Sequence, residues 1–474
     1  MELIIGRQEE IATLNVLKNS KKSEFVAVYG RRRVGKTFLI RNVFTEPFNF
    51  QLSGVANVGL KQHLTNFHNA FLKISPDESP KSPPDDWFEA FNRLSLLLEK
   101  QTSVKKVIFL DELPWLDTAQ SNFVPALEYF WNSWASARTD VLLIVCGSAA
   151  SWIINQLINN RGGLHNRLTE RILLKPFSLA ETEQFLKAKG ANYDRYQLLE
   201  LYMAMGGIPY YLENIQVNRS IAQNIDRLFF TENGLLATEY ANLYRSLFNK
   251  YEKHTLIVEA LSQKAKGLTR KEIIASTKLS DGGSITAVLE ELEQSGFIRR
   301  YLPFNKGKRD SLFQLIDPFT LFYLTFVKES KAQIKGAWLA QLSSPKWRAW
   351  SGYAFEYICR YHVDAIKKAL GISGIYAEIS TWRSQKSEKG TQIDLIIDRN
   401  DRIINICEIK FSIDQYTITK AYAENLQHKL SNFRTETGTK KTLFLTMITT
   451  YGLKQNEYVQ RLVNDSIEMD ALFV

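Results

Sequence analysis

The sequence predicts an α/β protein assembled in series: a parallel sheet between helices, a helical segment, a three-helix unit with a short hairpin, and a second α/β segment. Three observations carry that expectation. The first third alternates near-continuous apolar runs with helical stretches, the mark of a parallel sheet covered on both faces. From 251 to 316 the order is helix, helix, turn, helix, strand, turn, strand. From about 347 the chain returns to mixed α/β.

The first strand is "EFVAVYG", ending at Gly30, and a helix opens near Lys36. "FNFQLSG" is the second strand. "ISPDESPKSPPDDWF" holds four prolines and several acids, so a surface loop is expected. "VKKVIFLDE", "DVLLIVCGSAAS" and "ERILLKPF" supply strands three to five, with helices such as "FVPALEYFWNSWAS" between them. The domains expected are 1–178 (α/β core), 179–250 (helical), 251–318 (helix-turn-helix with a strand hairpin), 319–346 (a linker running into "LSSPKW") and 347–474 (second α/β domain).

At 474 residues, 45% hydrophobic and 23% charged, the chain can bury several cores. Cys146, Cys359 and Cys407 lie far apart, with neither a disulfide framework nor zinc spacing, which fits a reducing compartment. "MELIIGRQEE" has acids where a signal peptide needs basic and then apolar residues. The longest apolar run, "LIDPFTLFYLTFV", is short for a membrane span and contains Asp317. A cytoplasmic protein with no membrane partner is expected. The net charge of +10 adds a polyanion to the expected partners.

The most specific signal is "GRRRVGKT", which fits G-x-x-x-x-G-K-[ST] at Gly30, Gly35, Lys36 and Thr37. Such glycines let backbone N–H groups curl around phosphate oxygens where a helix begins. The pattern arises by chance in roughly one or two of a hundred chains this long, but here it also follows a strand and opens a helix. The residues expected to line a nucleotide are Gly30, Arg31, Arg32, Arg33, Val34, Gly35, Lys36, Thr37 and Phe38. Lys36 would reach the β and γ phosphates of ATP, and the Thr37 hydroxyl would ligate Mg²⁺. Asp111 and Glu112 end the third strand. The aspartate there can hold the Mg²⁺, and the glutamate can orient and deprotonate a water; two ordinary acids at a strand end is the plainer alternative. Ser148 stands where it can sense the γ-phosphate or cap a helix.

At this point the chain resembles the archaeal-type ATPases of the AAA+ superfamily, which also occur in bacteria. The resemblance rests on "YGRRRVGKT", "FLDELPWL", "CGSAASWI" and "GGIPYYL", within about residues 1–215. It implies a P-loop sheet of the AAA+ (ASCE) type, with five strands, one of them inserted between the two nucleotide motifs, and then a small helical lid. It also implies that the opening "IIGRQEE" sets Gly6 and Arg7 near the adenine. Arg167, before the fifth strand, occupies the place of a finger arginine that serves a neighbouring subunit in a homo-oligomer; a surface salt bridge is the alternative. "GGIPYYL" departs from the pattern, since Gly206, Gly207 and Pro209 stand where other AAA+ chains carry a sensor arginine.

The 251–318 pattern is that of a winged helix. Its third helix, "GSITAVLEELEQSGF", carries Glu290, Glu291 and Glu293 and no base, which disfavours phosphate contact through that helix. The basic residues lie instead at Arg299, Arg300, Lys306, Lys308 and Arg309 on the wing and at Lys266, Arg270 and Lys271. A wing touching a nucleic-acid backbone and a packing module are both open, and a transcriptional regulator fits the acidic helix least well.

In the last domain, "QIDLIIDRNDRIINICEIKFS" reads as two apolar strands, yet Asp394 interrupts the first and Glu408 and Lys410 the second. Strand alternation places Glu408 and Lys410 on one face, and a hairpin at "RNDR" brings Asp394 beside them. Two carboxylates then converge on one Mg²⁺ or Mn²⁺, while the lysine can position the attacking water or steady charge at phosphorus. The helix "GYAFEYICRYH" offers Glu356 to the same cluster. This arrangement is similar to the PD-(D/E)XK nuclease (restriction-endonuclease-like) core. That resemblance implies Glu356, Asp394, Glu408 and Lys410 as a metal-dependent phosphodiesterase site on nucleic acid, DNA before RNA. The alternative is a salt-bridged, inert fold in a nucleotide-switched scaffold.

Overall fold

The computed structural model describes residues 4–474 apart from 77–79, 160–161, 165, 249, 265, 331–335, 343 and 385–390. The middle of the proline-rich loop and Ser343 of "LSSPKW" therefore lie outside the described residues. The chain forms two compact units, 1–176 and 177–474. None of the described helices is long and apolar enough to cross a membrane.

In the first unit five parallel strands form one sheet: β1 (Glu24–Tyr29), β2 (Phe50–Ser53), β3 (Lys106–Asp111), β4 (Val141–Gly147) and β5 (Glu170–Leu173). Their spatial order is β2-β3-β4-β1-β5, so β4 is inserted between β1, which leads into Gly30, and β3, which ends at Asp111. β1 and β4 are buried almost end to end, which explains their unbroken apolar sequence. One core of the unit includes Phe25, Phe67, Trp87, Phe91 and Phe123, with the Trp87 and Phe123 rings edge to face at 4.9 Å. Register pairs Tyr29 with Gly147 and Ser53 with Asp111, so the strands finish together at one edge of the sheet. A ligand crevice belongs at that carboxyl edge.

The second unit begins with helices Leu179–Ala188, Arg195–Met205, Pro209–Glu213, Ile221–Phe229 and Glu239–Leu247. Three of them open on capping boxes, Ser178 with Glu181, Asp194 with Gln197 and Ser220 with Gln223. Each box satisfies backbone donors at both the cap and the third helical residue. Helices Glu252–Ser262, Arg270–Thr277 and Gly283–Gln294 follow, with an antiparallel sheet of β6 (Leu268–Thr269), β7 (Ile298–Tyr301) and β8 (Leu312–Leu315) in the order β6-β8-β7. The two-residue β6 was too short to be legible as an alternating run.

Within 319–346, expected as a linker, described residues are packed. Phe319, Phe322 and Trp338 are fully buried, and Trp338 stacks on Phe230 at 5.6 Å and meets Trp347 edge to face at 5.0 Å. Aromatic residues bury large areas, and here they weld the helical segment to helix Pro345–Tyr361. After helix Val363–Ala369 comes a mixed sheet of β9 (Ala377–Arg383), β10 (Gln392–Arg399), β11 (Ile403–Lys410), β12 (Thr442–Thr449) and β13 (Asp465–Glu468), with helices Lys420–Thr437 and Glu457–Leu462 interleaved. Its order is β13-β12-β11-β10-β9; β9, β10 and β11 run antiparallel in turn, and β12 and β13 run parallel to β11.

Candidate functional site

The loop 30–35 joins β1 to helix Lys36–Val43. Gly30 has φ +144°, and a Cβ there would sit 2.3 Å from the Leu174 carbonyl oxygen, so backbone closeness excludes any side chain. Gly35, at the helix entry, has φ +91°, and a Cβ built on it meets nothing within 4 Å. The loop thus turns through left-handed backbone around open space, the concavity an anion needs. Arg33 shares the left-handed conformation at φ +71°. Arg31 is buried and Arg32 exposed. Val34 packs inside, and its carbonyl accepts from the Arg7 guanidinium at 3.3 Å. Gly6 and Arg7 both take positive φ just before helix Gln8–Lys18. Phe38 is 39% exposed on the loop's helix.

Lys36 is buried, and its ammonium donates to the carbonyls of Gly30 and Arg31 at 3.0 Å each and to Ser148 Oγ at 3.3 Å. Burial pulls its pKa below the ordinary lysine value. Thr37 Oγ1 donates to Asp111 Oδ2 at 2.9 Å and lies 3.2 Å from Oδ1. Burial raises the Asp111 pKa, with the Thr37 hydrogen bond working in the opposite direction. Glu112 sits at φ +47°, an unusual conformation for a glutamate. Its carboxylate accepts from Ser148 Oγ at 2.6 Å and Ser148 N at 3.2 Å. Six predicted residues, Gly30, Lys36, Thr37, Asp111, Glu112 and Ser148, thus form one connected group at the sheet's carboxyl edge. Arg167 is exposed, and its guanidinium Nε donates to Gly163 O at 3.4 Å, outside that group. The hydroxyl and carboxylate of Thr37 and Asp111 could hold Mg²⁺, a cation content with one or two protein oxygens beside phosphate and water.

The second group lies in the second unit. Register pairs Leu395 with Cys407, and one step along it Asp394 stands opposite Glu408. Glu408 is 2% exposed, yet all its oxygens are engaged. Oε1 accepts from Lys410 Nζ at 2.9 Å and Tyr422 Oη at 2.7 Å, and Oε2 accepts from Lys429 Nζ at 2.8 Å. Burial opposes ionisation, but Lys410 and Lys429 outweigh it and hold the Glu408 pKa below the usual carboxylate range. Asp394 accepts from Gln392 at 2.5 Å, and burial, then the Glu408 charge, raises its pKa. Glu356 is pushed up to about 8, chiefly by burial and then by Asp394. Glu356, Asp394, Glu408 and Lys410 share one cavity of about 240 Å³. The four residues singled out from sequence are therefore brought together.

Among the described residues no group of three or more His, Cys, Asp or Glu side chains is placed to hold a metal ion. Two carboxylates, Asp394 and Glu408, remain a donor set for Mg²⁺ that also takes phosphate and water, although a cation there must compete with Lys429. Sequence reasoning missed Lys429 and Tyr422 as partners of Glu408. Both lie on helix Lys420–Thr437 seven residues apart, the spacing of one helix face, and that was the available signal.

Residues 4–215 match the model of an ATPase domain predominantly from Archaea. An uncharacterized protein of Methanocaldococcus jannaschii is 24% identical over 414 residues, spanning 86% of this chain and 88% of that one. Among solved structures, a Walker-type ATPase of Pyrococcus abyssi is 18% identical, covering 68% of this chain and 96% of its own, with TM-score 0.47. The ORC2 protein of Aeropyrum pernix is 13% identical, covering 71% and 95%, with TM-score 0.42. The family match and the strand order point the same way: over residues 4–215 the chain is similar to ATPase domains found predominantly in Archaea.

Proposed function

We propose that this protein is an ATP-hydrolysing AAA+-type switch whose C-terminal domain is a metal-dependent nuclease of the PD-(D/E)XK kind, joined to the ATPase through a winged helix. In the first site Lys36 leaves the carbonyls of Gly30 and Arg31 to grip the β and γ phosphates. Thr37 and Asp111 hold Mg²⁺, which supplies charge neutralisation at the phosphates. Glu112 takes the proton of the attacking water, and Ser148, hydrogen-bonded to Glu112, senses whether the γ-phosphate is present. Gly6 and Arg7 flank the base, and Arg167 serves a neighbouring copy in a homo-oligomer.

In the second site Asp394 and Glu408 hold Mg²⁺ or Mn²⁺, which supplies a Lewis acid for the scissile phosphate. Lys410 stabilises charge on the phosphate oxygens, and Glu356, whose carboxyl keeps its proton near neutral pH, is placed to give a proton to the leaving oxygen. The observation carrying this reading is the convergence of Glu356, Asp394, Glu408 and Lys410 on one cavity.

The specific rival is an inert C-terminal fold in a nucleotide-switched scaffold, favoured by the lysine clamp on both Glu408 oxygens. Calorimetric titration with Mn²⁺ separates the two. The nuclease reading requires binding that disappears in Asp394→Ala. Absence of Mn²⁺ binding in the wild-type protein would leave the scaffold.

A further inference from the structure

The cavity holding Asp394 and Glu408 is walled on one side by a residue of another element. Lys266, in the turn before β6, lines it together with Tyr353, Glu356, Asp394, Glu408 and Lys410. A second cavity of about 470 Å³ shares Lys266, Tyr353, Glu356 and Gln392 with the first, so the two adjoin. The second runs between Tyr301 and Phe304 on one side and Arg360, Trp382 and Arg383 on the other.

The two walls are fixed to each other. Pro303 forms a parallel bridge to Thr381 of β9, Phe304 N donates to Thr381 O at 2.9 Å, and the Phe304 and Phe433 rings lie 5.1 Å apart. The segment after β7, the wing of the expected winged helix, is therefore spent on the C-terminal sheet, and Tyr301 Oη ties the turn of Lys266 back to β7.

The charges along this cleft divide in two. Lys264 is neutralised by Glu272 at 2.6 Å. Lys266 and Arg383 are exposed, and among the described residues neither makes an ion pair. Arg360 stands within the field of Glu356 and Asp394. Tyr353 is 48% exposed and lies three residues before Glu356, so on the same helix face. Unpaired cations with an exposed aromatic are what a single nucleic-acid strand needs, its phosphates on the cations and a base on the ring. The two cavities together fall in the range of roughly 300–1,000 Å³ that encloses a drug-sized ligand. That is room for one or two nucleotides, whereas a continuous duplex would require the bridged walls to part.

We infer that the C-terminal site takes single-stranded nucleic acid, threaded through the cleft between β6–β7 and helix Pro345–Tyr361, with Tyr353 stacking a base and Lys266 and Arg383 holding phosphates. The inference rests on reading the Asp394 and Glu408 cavity as a phosphodiester site, but its test does not depend on cleavage.

The test is fluorescence anisotropy of the full chain with labelled 20-nucleotide oligo-dT, oligo-U and a blunt 20-base-pair DNA duplex, all in EDTA. Single strands are expected to bind at least tenfold more tightly than duplex, and the oligo-dT and oligo-U arms distinguish DNA from RNA. Tyr353→Ala should weaken single-strand binding about tenfold, while Tyr353→Phe, which keeps the ring, should not. Lys266→Ala with Arg383→Ala should reduce the slope of log affinity against log salt by about 1.4, at ~0.7 per phosphate on a single strand. Equal or tighter duplex binding, no strand binding, or binding unmoved by these substitutions would overturn the inference. Strand binding that responds as expected but without Mn²⁺-dependent cleavage would keep the inference and discard the nuclease reading.

Discussion

The loop at 30–37 and the cluster around Glu408 both bury a charge, and they satisfy it in opposite ways. Lys36 is held by carbonyl oxygens and a hydroxyl, and burial drives its pKa down, so the fold keeps that ammonium at a cost. Glu408 is held by two ammonium groups and a phenol, and its pKa falls below the ordinary range, so the fold gains from its charge. The first site is unfinished without an anion. The second is complete by itself, and any cation must displace part of it. A backbone-built site waits for its ligand, whereas a side-chain-built site competes with it.

The largest effect expected from this contrast is at Lys36. Lys36→Met should weaken ATP binding by roughly 10²–10⁴-fold, the loss of two charged hydrogen bonds, while the ligand-free protein melts no lower than wild type. Calorimetric ATP titration beside thermal melting checks both halves; retained affinity, or a melting point well below wild type, would break the comparison. Next comes Glu112→Gln. Steady-state phosphate release should fall at least about a hundredfold with ATP affinity kept, and unchanged turnover would remove Glu112 as the base.

A smaller effect distinguishes the second site. Lys429→Met should lower the unfolding free energy by about 1–3 kcal/mol, because a buried carboxylate loses a partner. Adding Glu408→Gln in that background should recover part of the loss. Additive losses in denaturant melts would mean that the two side chains are not coupled.

The smallest effect concerns pH. His362 Nε2 accepts from Leu179 N at 3.1 Å, and Nδ1 pairs with Ile358 O at 2.9 Å. Burial lowers its pKa from 6.5 to about 4. A base with a depressed folded pKa gives stability that is present above 6.5 and lost as pH falls toward 4. Melting points should therefore drop across that window in wild type and less steeply in His362→Gln. Parallel profiles would show that His362 does not titrate with unfolding.

How far the sequence could be read follows from the same contrast. The loop was legible because a contiguous run of residues carries its geometry: glycines at required φ, a lysine, a hydroxyl and a strand before them. The inserted strand β4 followed from the family resemblance, and the five-stranded order agrees with it. Asp394, Glu408 and Lys410 were legible because charges interrupt apolar strands. Lys429 and Tyr422 were not, since a lysine and a tyrosine on an amphipathic helix look like any solvated face until a sheet places Glu408 beneath them. The stretch 319–346 was misread for a related reason. "LSSPKW" looks like loop chemistry, but Phe322, Phe326 and Trp338 around it form a packed aromatic cluster. The basic residues after β7 left nucleic-acid contact and a packing role both open, and the bridge of Pro303 to Thr381 shows that the start of that segment is docked on β9.

Under the proposed function, nucleotide in the first site governs chemistry in the second. The direct measurement is Mn²⁺-dependent cleavage of a labelled single strand with and without ATP, in wild type and Lys36→Met, with Asp394→Ala as the blank. Cleavage should change with ATP in wild type, not respond to ATP in Lys36→Met, and be absent in Asp394→Ala. Cleavage identical with and without ATP in the wild-type protein, or equal in Asp394→Ala, would contradict the proposal.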